Sequence, residues 1–441
     1  MRGKTIKTVA SVLLFCVLFA ATGRLLRYLL WDDTSSYTRV TYHEMYAQDN
    51  IDVLLVGSSH CYRSFDPAIL DRELGQNTFN AGSSSQYLDG SYLLIREAAR
   101  HNKLSHVYLE VYFGCATDVK AERESPVSTY IISSYLKPSL DKLVYLLQAT
   151  GKAHYGNSFF VARRDWSKLT DLDYIRTVLI KKSTAAYKSY GYDRLTDETE
   201  WYAGKGYVAN NGVVNDWDFF SESAWEPIDV GAVSADWKSD LESIIRFCEK
   251  KQIPLTLVVA PMSDYLLAGV GNYDDYIACV RELIDGRDVE LYDFNLCRET
   301  AFPSASELFK DPDHVNCAGA ELFSTLFARL VKGEVTPEEI FFSSYAEKLE
   351  SLPPTVFGAA FRDEAPESGA ARRLCRIVSN AAPGTEYRIT LVPSEGEAFL
   401  LRDYAAETSF SLDPEQSGRC VIEWRNAGET ESAGERTLTL P

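Results

Sequence analysis

The chain has 441 residues, 46% of them apolar, enough to bury a sizeable core across two or three domains. Its formal net charge of −18 argues against nucleic acid as a partner, because phosphate binding needs a basic surface. The nine cysteines include no Cys-x-x-Cys pair and no Cys/His cluster at zinc spacing, so no metal and no cofactor is expected.

At the amino terminus Arg2, Lys4 and Lys7 precede an apolar stretch from Thr8 to Ala21, and Gly23 to Trp31 continues as an amphipathic segment. The apolar length reaches the ~20 residues of a spanning helix if Arg24 and Arg27 snorkel at the far interface. Residues 1 to 35 therefore read as an uncleaved signal anchor, single-pass in the cell membrane, with the basic end inside and the bulk of the chain extracytoplasmic. A cleaved signal peptide also fits the charge and the apolar core, but no small-x-small site precedes Gly23.

From about residue 50 strand and helix patterns alternate, which predicts an α/β fold: a mostly parallel sheet with helices on both faces. Ile51 to Val56 reads as the first strand, Asn77 to Asn80 as a short second one, Leu88 to His101 as a helix and Val107 to Tyr112 as the third strand. Residues 115 to about 232 form a long insertion, in which Leu140, Leu143, Leu146 and Leu147 share one helical face. Its tryptophans Trp166, Trp201, Trp217 and Trp225 suit either a wall over a site or an aromatic core of the insertion's own. The alternation resumes with a helix through Trp237 and Cys248, the strand Ile253 to Ala260, a helix around Tyr273 to Ile284 and the strand Val289 to Asp293. Asn316 is placed to cap a helix from about Cys317 to Val331. After Ser351-Leu352-Pro353-Pro354 the helical periodicity ends, and residues 355 to 441 predict a small antiparallel β-sandwich. Cys375 and Cys420 fall in strands of this region and are the one cysteine pair to test as a disulfide.

Two segments carry chemistry. Gly57-Ser58-Ser59-His60 directly follows the first strand, where an open α/β sheet exposes its reactive groups. Far along the chain, Asp311-Pro312-Asp313-His314 can supply a base and its orienter. Ser59 is the candidate nucleophile with Ser58 as its local competitor, and Gly57 would give the turn backbone freedom. His314 is the candidate base, oriented by Asp311 or alternatively Asp313. His60 is too close in sequence to reach the serine hydroxyl and is expected to shape the site or pack.

The order of these segments resembles the SGNH (GDSL-type) hydrolases. Val53 to His60 is similar to their first block, a strand ending in Gly-Asp-Ser, with serine replacing the aspartate as in the DltD-like and related cell-surface acyltransferase branches. Asn80-Ala81-Gly82 resembles the second block, and Asp311 to His314 matches the last. The third block, Gly-x-Asn-Asp, is absent, and Leu109 to Gly114 stands in its place. The resemblance implies a three-layer α/β/α, flavodoxin-like domain over residues 36 to 345 and a Ser59–His314–Asp311 triad. It also implies an oxyanion hole from Ser59 and Gly82, with Asn80 or a residue of Ser83 to Gln86 standing in for the missing asparagine. An acyl-serine would then pass to water or to a hydroxyl acceptor. Joined to the anchor, this predicts an esterase or O-acyltransferase acting on acyl groups of a cell-envelope glycan or teichoic-acid-like polymer. A membrane-bound O-acyltransferase is the candidate protein partner. The alternative is a non-catalytic envelope protein that uses the same scaffold to bind polymer or a membrane partner, and the missing third block supports it.

Overall fold

In the computed structural model, residues 2–123, 127–214, 233–364 and 371–440 are described. Strands β1 (Val53–Val56), β2 (Thr78–Asn80) and β3 (His106–Glu110) belong to the first part of the fold. β4 (Glu200–Gly204) and β5 (Tyr207–Asn210) form a hairpin in the insertion, and β6 (Leu255–Val259) and β7 (Val289–Asp293) follow it. β1, β2, β3, β6 and β7 make one parallel five-stranded sheet in the order β2-β1-β3-β6-β7. All four residues of β1 are buried, as the unbroken run Val-Leu-Leu-Val requires of a strand covered on both faces. From β1 the chain passes first to β2 on one side and then to β3 on the other. That reversal leaves a crevice at the carboxyl end of β1, where open α/β sheets bind their ligands.

β3 ends at Glu110, two residues earlier than the apolar run suggests, because the chain turns into a short 3₁₀ segment at Phe113–Cys115. Helices Leu88–His101 and Cys317–Val331 have the predicted bounds, and Asn316 caps the second by accepting from the Ala318 and Gly319 amides. Within the insertion, the leucine face does not form a core. Only Leu146 is buried with Tyr145, while Leu140, Leu143 and Leu147 are exposed. The helix Leu140–Gln148 turns its Tyr145–Leu146 side inward, and the remaining leucines point outward. Of the tryptophans, Trp201 is half-buried and Trp166 exposed, whereas Trp217 and Trp225 lie outside the described residues.

The amino-terminal segment is one helix, Arg2–Leu30, whose apolar part Ile6–Leu30 includes an 18-residue window of mean hydropathy 2.2 with no residue buried, while Leu30 at its end is buried. Its carboxyl end is held by the insertion. Lys182 Nζ donates to the carbonyls of Tyr28 (3.1 Å) and Trp31 (2.5 Å), closing free helix-end acceptors, and pairs with Asp33 at 3.0 Å. Arg27, expected to snorkel, instead donates to the Ser134 carbonyl at 2.8 Å and lies over the Trp31 ring. The insertion reaches it first.

The carboxyl-terminal region contains β8 (Val356–Glu364), β9 (Arg372–Ser379), β10 (Thr385–Pro393), β11 (Phe399–Ala405), β12 (Ser409–Leu412), β13 (Gly418–Asn426) and β14 (Gly434–Thr439). They form two antiparallel sheets, β12-β9-β8 and β11-β10-β13-β14. Alternate residues such as Tyr387, Ile389 and Leu391 face inward, and one apolar cluster runs from them to Phe323 and Phe327 of the α/β layer. Cys375 and Cys420 are buried free thiols, so the candidate disulfide is not formed; burial foremost pushes the Cys420 thiol up to about 12. Asn380 ties the two regions together. Its amide nitrogen donates to the carbonyls of Leu349, Leu352 and Pro353, and its oxygen accepts from the Thr355 amide. Asn380→Ala would strand these groups. It should lower the unfolding free energy by about 2–3 kcal/mol in denaturant titration, and a loss below about 0.5 kcal/mol, the scatter of ordinary surface changes, would show that the amide does not brace the junction.

Candidate active site

After β1 the chain turns at Gly57-Ser58 and enters the helix Ser59–Ser64. Ser58 is the N-cap, its hydroxyl accepting from the His60 amide at 3.2 Å. Its own amide donates to the Glu110 carboxyl at 2.6 Å. These bonds commit Ser58 to the turn and leave Ser59, the first helical residue, as the serine facing the crevice. Gly57 is needed for space rather than for backbone freedom: a Cβ there would lie 2.5 Å from Glu110 Oε2.

The second segment reaches the same crevice from the loop after β7. Pro312 is pinned by its carbonyl, which accepts from the amide (3.1 Å) and hydroxyl (2.9 Å) of Ser263 in the loop after β6. His314 Nε2 lies 2.9 Å from Ser59 Oγ, and His314 Nδ1 lies 2.9 Å from Asp311 Oδ1. Ser59, His314 and Asp311 thus form one hydrogen-bonded chain. With the proton on Nδ1, Nε2 is free to accept from the serine hydroxyl. Asp313, the alternative orienter, donates its amide to Asp311 Oδ1, and its backbone lies within hydrogen-bond reach of the His60 ring. Burial alone would raise the Asp311 carboxyl, but the His314 hydrogen bond and charge, joined by Lys310 at 2.9 Å, outweigh it and hold the group well below the usual carboxylate range.

The implied oxyanion hole is only partly present. Asn80 is fully buried and spends its whole side chain on the fold: Nδ2 donates to the Cys61 (2.9 Å) and Phe65 (3.1 Å) carbonyls, while Oδ1 accepts from the Cys61 thiol (3.3 Å). The same oxygen accepts from the Gly82 amide at 3.0 Å. Neither Asn80 nor Gly82 therefore has a donor free for an oxyanion. Ser83 and Gln86 are also engaged, Ser83 Oγ with Gln86 Oε1 and Gln86 Nε2 with Ser91 Oγ. Of Ser59, Asn80 and Gly82, the Ser59 amide remains, with no acceptor among the described residues, and of the neighbouring serines Ser84 Oγ lies 3.1 Å from the Tyr62 hydroxyl.

In place of the missing third block stands an aromatic stack. Tyr112 packs on His60 with centroids 4.1 Å apart, and His60 lies nearly parallel to His314 at 4.6 Å. His60 is buried and its Nδ1 has no partner; burial, then the charge of His314, pushes its pKa well down, so the ring beside the base is neutral. The insertion completes the surroundings. The Lys205 carbonyl accepts from the Asn80 amide, and Asn316 Nδ2 donates to the Gly212 carbonyl, so the β4–β5 hairpin region braces both the serine and the histidine sides. Lys310 and Glu110 belong to none of the matched motifs. Lys310 adjoins Asp311, and Glu110 is an acid closing an apolar strand, so each left a trace.

No protein-family model and no curated protein matches this sequence. Among solved structures, a protein from Desulfitobacterium hafniense DCB-2, described as lipolytic and of the G-D-S-L family, aligns over 64% of this chain and 99% of its own, at 10% identity and a TM-score of 0.31. Likeness at that level leaves the family open, and the chemistry rests on the geometry above.

Glu110 supplies a test of the turn's electrostatics. Burial foremost raises its carboxyl from 4.5 to about 7, against the pull of the Ser58 hydrogen bonds. Folding thus takes up a proton between these two values, and this group's relative contribution to stability falls as pH rises through that window. At ~1.4 kcal/mol per pKa unit, the span is at most about 3.5 kcal/mol. Glu110→Gln keeps an acceptor for Ser58 and removes the titration. Denaturation at about pH 4 and about pH 8, either side of the window, should show the variant gaining on wild type at the higher pH, and parallel stabilities would refute the assignment.

Proposed function

We propose that this chain is a membrane-anchored, extracytoplasmic serine esterase or O-acyltransferase. Its substrates are acyl esters of a cell-envelope polysaccharide or teichoic-acid-like polymer. The observation that carries the reading is the hydrogen-bonded chain from Asp311 through His314 to Ser59. His314 Nε2 takes the Ser59 hydroxyl proton as Oγ attacks the ester carbonyl. The tetrahedral oxyanion forms beside the Ser59 amide, and collapse expels the alcohol, which receives its proton from His314. The acyl-serine is then attacked by water or by an acceptor hydroxyl, with His314 again as base. Asp311 stays ionised and steadies the imidazolium. The exposed apolar helix Ile6–Leu30 supports the anchor, and the serine in place of the aspartate of Gly-Asp-Ser supports transfer over hydrolysis. On this reading a membrane-bound O-acyltransferase is the protein partner.

A second reading has one specific observation in its favour. With the Gly82 amide and the Asn80 side chain both spent, the scaffold suits a non-catalytic protein that binds polymer or a membrane partner. A fluorophosphonate probe decides between the two. The enzyme should be labelled, Ser59→Ala should abolish labelling, and Asp311→Asn should slow it by about 10²–10⁴-fold through loss of the base's orientation. An unlabelled wild type with its fold intact favours the binding protein. Release of acetate or other acyl groups from envelope polymer then identifies the substrate.

A further inference from the structure

The amino-terminal helix and the insertion meet well inside the apolar stretch, not at its end. The Phe160 ring stands edge-on to Phe19 with centroids 5.4 Å apart. Phe19 precedes Leu30 by eleven residues, about 16 Å along a helix rising ~1.5 Å per residue. If the bilayer stopped where Phe160 begins, the apolar helix left to it, Ile6 to Leu18, would be about 20 Å long. That falls short of the ~30 Å hydrocarbon core. For the helix to cross, the insertion must lie beside it within the outer part of the bilayer.

The surface at that level has the matching chemistry. Phe159, Phe160, Trp166, Leu169, Leu172 and Ile180 are exposed. Residues 137 to 188 carry ten Lys/Arg against four Asp/Glu, in a chain whose net charge is −18. Between helix and insertion lies a cavity of about 540 Å³, walled by Phe19, Ala20, Phe159 and Trp166 and edged by Arg24 and Arg163. Neither arginine forms an ion pair with a described residue. An apolar trough walled on one side by the apolar helix, with guanidinium groups at its edge that pair with no described carboxylate, fits a lipid acyl chain beneath an anionic headgroup.

We propose that the 159–180 face of the insertion is seated in the outer leaflet and that the cavity binds one acyl chain of an anionic lipid, its headgroup held by Arg24 and Arg163. The proposal rests on the anchor reading of the helix and is independent of the serine chemistry. It is tested with the full chain in phosphatidylcholine nanodiscs doped with a diazirine-acyl phosphatidylglycerol or a diazirine-acyl phosphatidylcholine, irradiated and mapped by peptide mass spectrometry. Adducts are expected in residues 159–180 as well as in 6–30. The glycerol probe should label 159–166 about fivefold more strongly for each arginine engaged, and Arg163→Ala should lose part of that preference while helix labelling persists. Labelling confined to the helix would overturn the proposal and point to a protein partner covering the face. Equal labelling by the two probes would overturn the headgroup assignment. Absence of adducts from the helix as well would remove the anchor reading and this inference together, while fluorophosphonate labelling of Ser59 would be unaffected.

Discussion

One buried side-chain amide, Asn80, fixes the geometry on which the candidate site depends. It ends β2, gathers the Cys61 and Phe65 carbonyls of the serine-bearing segment, and turns the Gly82 amide inward. An unpaired buried amide is costly, so four satisfied bonds make this junction rigid and specific. Ser59 is held at the mouth of the crevice because the helix beneath it has nowhere else to go. The same junction removes two donors that an oxyanion could have used. Positioning the nucleophile and completing the oxyanion hole are thus in competition at this residue.

The insertion belongs to the same system of constraints. Its hairpin accepts from the Asn80 amide on one side and, through Gly212, from the His314 loop on the other. Its helical part closes the end of the amino-terminal helix through Lys182. A single stretch of chain therefore joins the site to the apolar helix. Under the membrane-anchored reading, this sets the crevice at a fixed height over the bilayer.

The sheet was legible because parallel strands buried on both faces are written as unbroken apolar runs, and Val53 to Val56 could be little else. Ser59, Asp311 and His314 were legible because each lies in a polar turn directly beside a core element. The differences share one cause. Asn80 and Gly82 match the motif by position, but which partner an amide faces is decided by residues from other segments, here Cys61 and Phe65. The leucines at 140, 143 and 147 obey helical periodicity, yet periodicity says only that a face is apolar, and this one faces outward. The Tyr112–His60–His314 stack joins residues some 250 positions apart and has no local signature.

Two carboxyl groups show how the environment sorts charge around Ser59. Asp311, beside Lys310 and the His314 ring, is held ionised across the ordinary pH range. Glu110, sealed beneath the serine turn, keeps its proton up to about 7. If both were equally acidic, a second fixed negative charge would sit next to Ser58 and oppose the developing charge of any oxyanion at the Ser59 amide. Burial instead biases Glu110 toward the neutral form, which still accepts the Ser58 hydrogen bond. The negative charge is kept behind the imidazole, where it favours the proton transfer from serine. A site with few oxyanion donors depends all the more on that separation.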